Sequence, residues 1–335
     1  MIPRTAQLWQ TSAWQKSLTD AITQPEALFD YLELDKNLLP AAQRASQQFS
    51  LRVPQGYAAL MEKGNLADPL LRQVFPIDAE LQTTEGFSTD PVGDIAATTQ
   101  PGLLHKYHGR ALLITTGACA IHCRFCFRRH FPYEEATGVD SQWESLLGHL
   151  NQTPEIQEII LSGGDPLMLS DDKLALRIRT LEAIPHIKRL RIHTRLPIVL
   201  PERVCDPLLQ WLRDTRLRTV IVVHSNHANE LGTEAQGALR RLKEADVTLL
   251  NQSVLLKGVN DCPKALAQLS ESLFDCGVLP YYLHLLDRVE GAAHFEVPQD
   301  RIRALDRELR KNLPGYLVPR LVREERGEPS KTPLI

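Results

Sequence analysis

The chain has 335 residues, of which 43% are hydrophobic, and a formal net charge of −3 at pH 7. This length predicts one large α/β domain with an extension, or two domains, with enough apolar residues for a substantial core. The slight negative charge gives no bulk attraction to nucleic acid, and no apolar run approaches the roughly 18 residues of a membrane span. The first residues also lack the apolar stretch of a signal peptide, so we expect a cytoplasmic enzyme without nucleic-acid or membrane partners.

The first part of the chain predicts a mainly helical extension. Helical patterns at residues 25–34 and 38–48 alternate with irregular segments rich in Pro, Asp and Gly, and residues 83–102 resemble a long connection. We therefore divide the chain into an extension at 1–104, a central domain at 105–295 and a C-terminal segment at 296–335.

From residue 110 onward, apolar runs of strand length alternate with amphipathic helical segments. The runs lie at residues 111–115, 156–161, 187–193, 219–224, 247–254 and 278–283. The helical segments lie at 141–150, 171–184, 205–214, 233–245 and 263–275. This alternation implies parallel strands joined by right-handed crossovers. Six such units predict the α/β class and a partial (β/α)6 barrel of the TIM type.

Three cysteines follow the first predicted strand in the run GACAIHCRFCFRR, as Cys119, Cys123 and Cys126. Three thiolates at this spacing can share a [4Fe–4S] cluster, and because a cube takes four ligands, one iron stays open for a small molecule. A zinc site with His122 as fourth ligand is an alternative on spacing alone. The remaining cysteines are scattered and are expected to be small buried residues: Cys205, Cys262 and Cys276.

Polar residues lie toward or just after the ends of all six predicted strands, where βα barrels carry their chemistry. Besides the cysteines they are Ser162 to Asp165, His193 to Arg195, His224, Asn226, His227, Asn251, Gln252, Asp261, His284 and Asp287. Their convergence favours an active site over unrelated surface loops. In the second loop, Gly163 and Gly164 suit either a closely approaching ligand or a plain tight turn, and Asp165 can accept hydrogen bonds from an ammonium group.

Together these motifs resemble the radical S-adenosylmethionine (SAM) superfamily, whose signature is the three-cysteine loop. More closely, the chain resembles lysine 2,3-aminomutases over residues 68 to 335, in the stretches HKYHGRALLITTGACAIHCRFCFRR, LSGGDPL, RIHTRLPIVLP, NQSVLLKGVND and SKTP. In length it is similar to the shorter bacterial EpmB group, which makes (R)-β-lysine for attachment to elongation factor P. The resemblance implies an isomerase that converts L-lysine to (R)-β-lysine.

The resemblance also implies three cofactors: a [4Fe–4S] cluster, SAM and pyridoxal 5′-phosphate (PLP). A one-electron reductant would start the reaction by cleaving SAM to a radical, and a functional link to elongation factor P and its lysyl-transferring enzyme would follow. Cys119, Cys123 and Cys126 would bind the cluster, and Lys331, on a C-terminal tail that closes the site, would carry PLP.

The resemblance in the matching stretches also implies a role for each of the remaining site residues. Lys106, Tyr107 and Arg110 would surround PLP, and Gly163, Gly164 and Asp165 would hold the methionine end of SAM. Ser162, Thr194 and Arg195 are further expected cofactor contacts. Arg128 would bind the substrate carboxylate, and Asp261 and Glu324 the distal ammonium group.

Two features of the C-terminal segment do not favour the roles that the resemblance implies for Glu324 and Lys331. Glu324 stands where the family commonly has Asp, and Lys331, so near the chain end, would by position alone be solvated and frayed. No cysteine follows Cys276, so the structural zinc of longer members is not expected. Three alternatives stay open: a radical SAM enzyme that modifies RNA or peptide without PLP, an aminomutase acting on glutamate, and a zinc-stabilised binding module.

Overall fold

The computed structural model describes residues 13–136 and 142–334. Outside these ranges lie residues 1–12, on which the expectation of no signal peptide rests, and residue 141, the first of one predicted helix. In the described ranges, no helix combines the length and apolar character needed to cross a membrane.

The described residues form one open ten-stranded sheet in which the strands lie side by side in chain order. The strands are β1 (Thr98–Gln100), β2 (Leu103–Tyr107), β3 (Arg110–Thr116), β4 (Glu158–Gly163), β5 (Arg189–Thr194), β6 (Arg218–Val223), β7 (Thr248–Val254), β8 (Leu279–His284), β9 (Arg320–Arg323) and β10 (Thr332–Pro333). Strands β3 to β9 are parallel, whereas β1 and β2 at one edge and β10 at the other pair antiparallel.

Helices cover the extension and connect the parallel strands. They are α1 (Ala13–Thr19), α2 (Pro25–Leu32), α3 (Leu39–Gln48), α4 (Gln55–Ala58), α5 (Pro69–Arg72), α6 (Tyr133–Ala136), α7 (Trp143–Asn151), α8 (Asp171–Glu182), α9 (Leu196–Val199), α10 (Asp206–Asp214), α11 (Thr233–Glu244), α12 (Pro263–Asp275) and α13 (Gln299–Asn312). Local sequence explains their ends. In α8, for example, the Ser170 hydroxyl accepts from the Lys173 N–H, and two aspartates lie in the first turn, where the helix dipole favours negative charge.

The predicted α/β partial barrel is confirmed, with one strand more than predicted. The six predicted strands are β3 to β8, and their bounds agree within about two residues, the scatter expected at element ends. The seventh parallel strand, β9, was missed because its four residues, RLVR, carry a charge at each end and show no apolar run. It pairs with β8 and so continues the sheet toward the C-terminal segment.

The extension shares its core with the barrel. One cluster of buried residues runs from Trp14 and Phe29 in the extension to Leu161 and Val278 in the barrel. Strand β2 crosses the boundary predicted after residue 104, so the extension and the central domain also share the sheet.

The scattered cysteines differ from one another in exposure. Cys276 is buried as expected, but Cys205 is only partly buried and Cys262 is exposed. The expectation of a buried residue was therefore wrong for Cys262, which comes directly before α12, at a surface position where the helix begins.

Candidate active site

A cavity of about 440 Å³ opens at the carboxyl ends of the parallel strands. This volume lies within the roughly 300–1,000 Å³ typical of ligand pockets. The predicted site residues that line it are Lys106, Tyr107, Arg110, Cys119, Cys123, Cys126, Arg128, Ser162, Gly163, Gly164, Asp165, Thr194, Arg195, Glu324 and Lys331. Asp261 does not line it.

The three cysteines lie on the loop after β3, and all three face this cavity. A turn brings two of them together, because the Cys126 N–H donates to the Cys123 carbonyl at 3.1 Å. Burial raises the pKa of the Cys126 thiol to about 11 and that of Cys119 well above its usual range. Thiolates here therefore need a cationic partner, which the irons of a cluster would provide.

A buried ion-pair cluster holds the cysteine loop against the extension. Glu80, from the 3₁₀ turn Asp78–Leu81, accepts from Arg124 Nη2 at 2.6 Å and from Arg129 Nη2 at 2.9 Å. All three side chains are almost fully buried, and Arg124 lies between two of the cysteines. Moving any one of these side chains away would leave the other charges buried and unpaired, which is strongly unfavourable. The cluster therefore fixes the path of the cysteine loop.

The zinc alternative gains no support from this arrangement. His122 Nδ1 lies 2.8 Å from the Ser50 carbonyl, so the ring bonds to the extension. Within the described ranges, no three His, Cys, Asp or Glu side chains converge on a single ion. The thiols of one cube bind three different irons, so this finding does not count against a cluster.

The glycines of the second loop permit close packing on the cysteine loop. The N–H of Gly164 donates to the Thr116 carbonyl at 2.7 Å. A Cβ atom at Gly163 would lie 2.5 Å from the same carbonyl, and one at Gly164 only 2.3 Å from that of Ala118. Gly163 also has a φ of +125°, which side-chain-bearing residues avoid. Contact between the two loops therefore requires glycine at both positions.

Gly164→Ala is expected to reduce the iron content of the reconstituted protein to less than half, because the added methyl group pushes the two loops apart. Overpacking of this kind costs about 1–3 kcal/mol. The measurement is iron and sulfide per chain, together with the thermal midpoint. Gly237→Ala in α11 is the matched control, because a Cβ atom there meets nothing within 4 Å. Full iron content in Gly164→Ala would contradict the packing argument.

Asp165 connects the ends of β4 and β5. Its carboxylate accepts from the Thr194 hydroxyl at 2.8 and 2.9 Å, from the Arg195 N–H at 2.7 Å and from the Leu167 N–H at 3.0 Å. Burial, offset in part by these donors, raises its pKa to about 6. These contacts fix the position of the loop relative to β5. Asp165 and Thr194 both line the cavity, and their contact with a cofactor stays a prediction.

Arg128 is held from two sides in the cavity wall. Its Nε donates to Asp94 Oδ2 at 2.7 Å, and its Nη1 donates to the Ser162 hydroxyl at 2.9 Å. Asp94 also pairs with Lys106 at 2.5 Å, and these cations lower its pKa despite burial. Sequence reasoning missed Asp94, since it lies in the connection at 83–102 and no local pattern distinguishes it from other loop aspartates.

The C-terminal tail places Lys331 inside the cavity. Strand β10 pairs with β9, with Thr332 opposite Arg323, and this hairpin brings Lys331 back to Glu324. Lys331 Nζ donates to Glu324 Oε2 at 2.7 Å, while Lys106 Nζ donates to Oε1 at 3.1 Å. Burial raises the pKa of Glu324, but the two lysines outweigh it and hold the pKa at about 2.

The structure places Asp287 in the cavity, whereas Asp261, which the sequence predicted for the ammonium group, lies outside it. The side chain of Asp261 lies outside the cavity and accepts from the Gly258 N–H at 2.9 Å. Asp287 follows β8, lines the cavity and faces the charges of Glu324 and Lys331. In the sequence, Asp287 was identified only as a polar residue at a strand end, and no role was predicted for it.

Besides His122, three histidines line the cavity, and all three are neutral. His193 Nδ1 lies 3.3 Å from His224 Nε2, and His284 is buried beside the Tyr282 ring. Burial, reinforced by nearby cations, lowers the pKa of His224 to about 3 and those of the other two well below their usual range. The charge of the cavity is therefore set by its lysines, arginines and carboxylates.

Comparison with known proteins agrees with this geometry. The family model of the Radical SAM superfamily matches residues 113–220, which contain the cysteine loop and strands β4 and β5. The chain is 51% identical to an L-lysine 2,3-aminomutase of Escherichia coli K12, over 96% of the chain and 94% of that protein. It is 47% identical to one from Haemophilus influenzae, over 99% and 98%, and 33% identical to one from Acetoanaerobium sticklandii, over 98% and 78%.

The open β/α barrel, the three-cysteine loop at its mouth and the matched superfamily define a radical SAM enzyme. Enzymes of this class bind a [4Fe–4S] cluster and SAM. Within the class, the chain belongs to the L-lysine 2,3-aminomutase family, which uses PLP as well.

Proposed function

We propose that this protein moves the α-amino group of L-lysine to the β-carbon and so produces (R)-β-lysine. The observation that carries the proposal is the charge pattern of the cavity. Arg128 lies in its wall, and Glu324 and Asp287 lie beside Lys331 in the same space. An amino acid with a carboxylate at one end and an ammonium group at the other can pair with both sets of charges.

The residues present fit the three cofactors. Three thiols face the cavity together for a cluster with one open iron. Lys331 supplies the amine for PLP, and Lys106 and Arg110 line the same cavity as cations suited to a phosphate. When bound, the cluster and SAM supply a carbon radical that removes hydrogen from the substrate, and PLP stabilises the radical during nitrogen transfer.

The protein contributes position and charge balance. Asp94 and Ser162 fix the Arg128 guanidinium, which would hold the substrate carboxylate and thereby orient the adjacent carbons. Glu324 stays ionised and serves as the counterion of Lys331 Nζ whenever that nitrogen carries a proton. Asp287 is then the carboxylate left for the ammonium group of the substrate side chain.

Charge pairing also explains why a cationic substrate is expected. Burying an ammonium group is costly unless a carboxylate accepts it, and the cavity has Asp287 in place for this. A glutamate side chain would instead place a third carboxylate beside Asp287 and Glu324. The cavity therefore favours lysine over glutamate.

The direct test is anaerobic incubation with L-lysine, SAM, PLP and a strong one-electron reductant, followed by chiral analysis of the products. We expect (R)-β-lysine, which should disappear when SAM or PLP is omitted, and no product from L-glutamate. Turnover without PLP, or a purified protein that does not bind PLP, would instead support a radical SAM enzyme acting on RNA or peptide. Zinc in place of iron and sulfide would support the binding module.

Asp287 is expected to make lysine binding depend on pH in the neutral range. Burial and the charge of Glu324 raise its pKa to about 7, although Lys331 and Lys106 oppose the shift. Below that pH the carboxyl is protonated and loses its attraction for an ammonium group. The KM for lysine should therefore rise as the pH falls below about 7, approaching tenfold per pH unit, and level off above it.

The matched variants for this pH profile are Asp287→Asn, which should remove the dependence, and Asp261→Asn, which should keep it. The readout is KM for lysine at saturating SAM between about pH 6 and pH 8.5. A wild-type KM that stays constant across this range would rule out Asp287 as the titrating partner of the substrate.

We further propose that the product serves the modification of elongation factor P, as the likeness to the shorter bacterial group suggests. A cytoplasmic location suits this role, and the six cysteines, all free thiols, suit a reducing compartment. The test is a mass shift of elongation factor P when its lysyl-transferring enzyme receives the reaction product. No shift, with authentic (R)-β-lysine active in parallel, would contradict this link.

A further inference from the structure

Arg195 contacts one of the cluster cysteines directly. It is the first residue after β5, it is buried, with 8% of the residue exposed, and it lies in the cavity wall. Its Nη1 donates to Cys123 Sγ, and the two groups are in direct contact. The sulfur that would bind an iron therefore has a guanidinium as its immediate neighbour.

A set of buried side chains holds this guanidinium in one orientation. Arg195 Nη2 donates to Glu230 Oε2 at 2.7 Å and to Gln73 Oε1 at 2.6 Å. Glu230 is fully buried and also accepts from the N–H groups of Asn226 at 2.7 Å and His227 at 2.9 Å. Because Glu230 and Gln73 are themselves held by hydrogen bonds, the guanidinium of Arg195 cannot rotate, and its Nη1 stays directed at Cys123 Sγ.

One donor of the same guanidinium has no acceptor. Arg195 Nε is buried, and no hydrogen-bond acceptor for it lies among the residues that the structure describes. Leaving a buried donor unpaired is costly.

We propose that Arg195, oriented by Glu230 and Gln73, raises the reduction potential of the cluster by donating from Nη1 to Cys123 Sγ. This inference rests on the cluster of the proposed function. One-electron reduction adds negative charge to the cluster and its sulfurs, and a cationic donor at hydrogen-bond distance stabilises the reduced form. Arg195 is thus a positioning and tuning residue for the electron-accepting step.

The experiment is an anaerobic redox titration of the reconstituted protein, followed by electron paramagnetic resonance of the reduced cluster. Arg195→Gln removes the charge and is expected to lower the one-electron reduction equilibrium constant at least tenfold, which corresponds to about 59 mV. Arg195→Lys keeps the charge but loses the fork, so a smaller decrease in the same direction is expected.

Arg203→Gln is the matched control. Arg203 is likewise fully buried and ion-paired, with Nη2 donating to Asp171 Oδ1 at 2.9 Å. Its nearest cysteine is Cys205, whose Sγ lies 3.5 Å from Nη1, and Cys205 is not a proposed cluster ligand. The control variant should therefore keep the wild-type potential.

An unchanged potential in Arg195→Gln at full iron content would overturn the inference. Loss of the cluster from both Arg195 variants, with the control intact, would overturn it too, because the residue would then serve cluster assembly. If the wild-type protein makes β-lysine but Arg195→Gln leaves the reduction potential unchanged, only this inference is disproved. A wild-type protein without a cluster disproves it together with the proposed function.

Discussion

Lys331→Gln should abolish β-lysine formation and PLP retention while leaving the iron content unchanged. Glutamine keeps the polarity and much of the length of the side chain but offers no amine for attachment of the cofactor. The loss in turnover should be on the order of a thousandfold or more, as for other residues that act covalently. The measurements are chiral product analysis, the visible absorbance of bound PLP after gel filtration, and iron per chain.

The matched control for this substitution is Lys311→Gln. Lys311 is an exposed residue of α13 that pairs with Glu308 one turn away, and such surface pairs contribute little to stability. Turnover of this control should equal that of the wild type. If Lys331→Gln retained PLP and turned over lysine, the assignment of Lys331 would be wrong, and PLP would have to be bound elsewhere.

Asp287→Asn should lower kcat/KM for lysine by roughly a hundredfold. Removing one partner of a buried, hydrogen-bonded charge pair costs about 2–5 kcal/mol, because the other charge stays buried and unpaired. The amide keeps the shape of the carboxylate, so cluster content and thermal midpoint should change little. The measurement is steady-state turnover at varied lysine concentration, with iron content determined in parallel.

Asp261→Asn provides the comparison, and the structure reverses what the sequence predicted for it. Its side chain accepts a hydrogen bond from the Gly258 N–H outside the cavity, which an asparagine oxygen can also do. Its effect on kcat/KM should stay within about threefold because the side chain does not line the cavity, and the stability should change by about 0.5 kcal/mol or less. A larger loss in Asp261→Asn than in Asp287→Asn would refute the corrected assignment.

Local patterns in the sequence were sufficient for the barrel and the cluster loop. The six strands β3 to β8 show as short apolar runs, because strands buried in a parallel sheet carry little polarity. The spacing of Cys119, Cys123 and Cys126 is itself the chemical requirement for a shared cluster. The two glycines at the end of β4 were also found, although the sequence could not show that the neighbouring loop, rather than a ligand, requires them.

Distances along the chain explain what sequence reasoning missed. Gln73 and Arg195 are 122 positions apart, and Asp94 and Arg128 are 34 apart, yet each pair is hydrogen-bonded in the buried wall of the site. Neither Gln73 nor Asp94 lies in a recognisable sequence motif. Packing of the extension against the barrel brings each of them to the site. Asp261 and Asp287 both follow strands, and only the direction of the chain after each strand decides which one faces the cavity.

The sequence by itself determined the class of fold and predicted the three cluster cysteines and, through resemblance, the lysine proposed to carry PLP. Only the tertiary structure showed how Lys331 is withdrawn from solvent, which carboxylates lie beside it and which arginine contacts Cys123. The physical reason is that apolar periodicity and ligand spacing act over a few residues and are written in consecutive positions. The pairing of buried charges depends on which distant segments the packed core and the β9–β10 hairpin bring into contact.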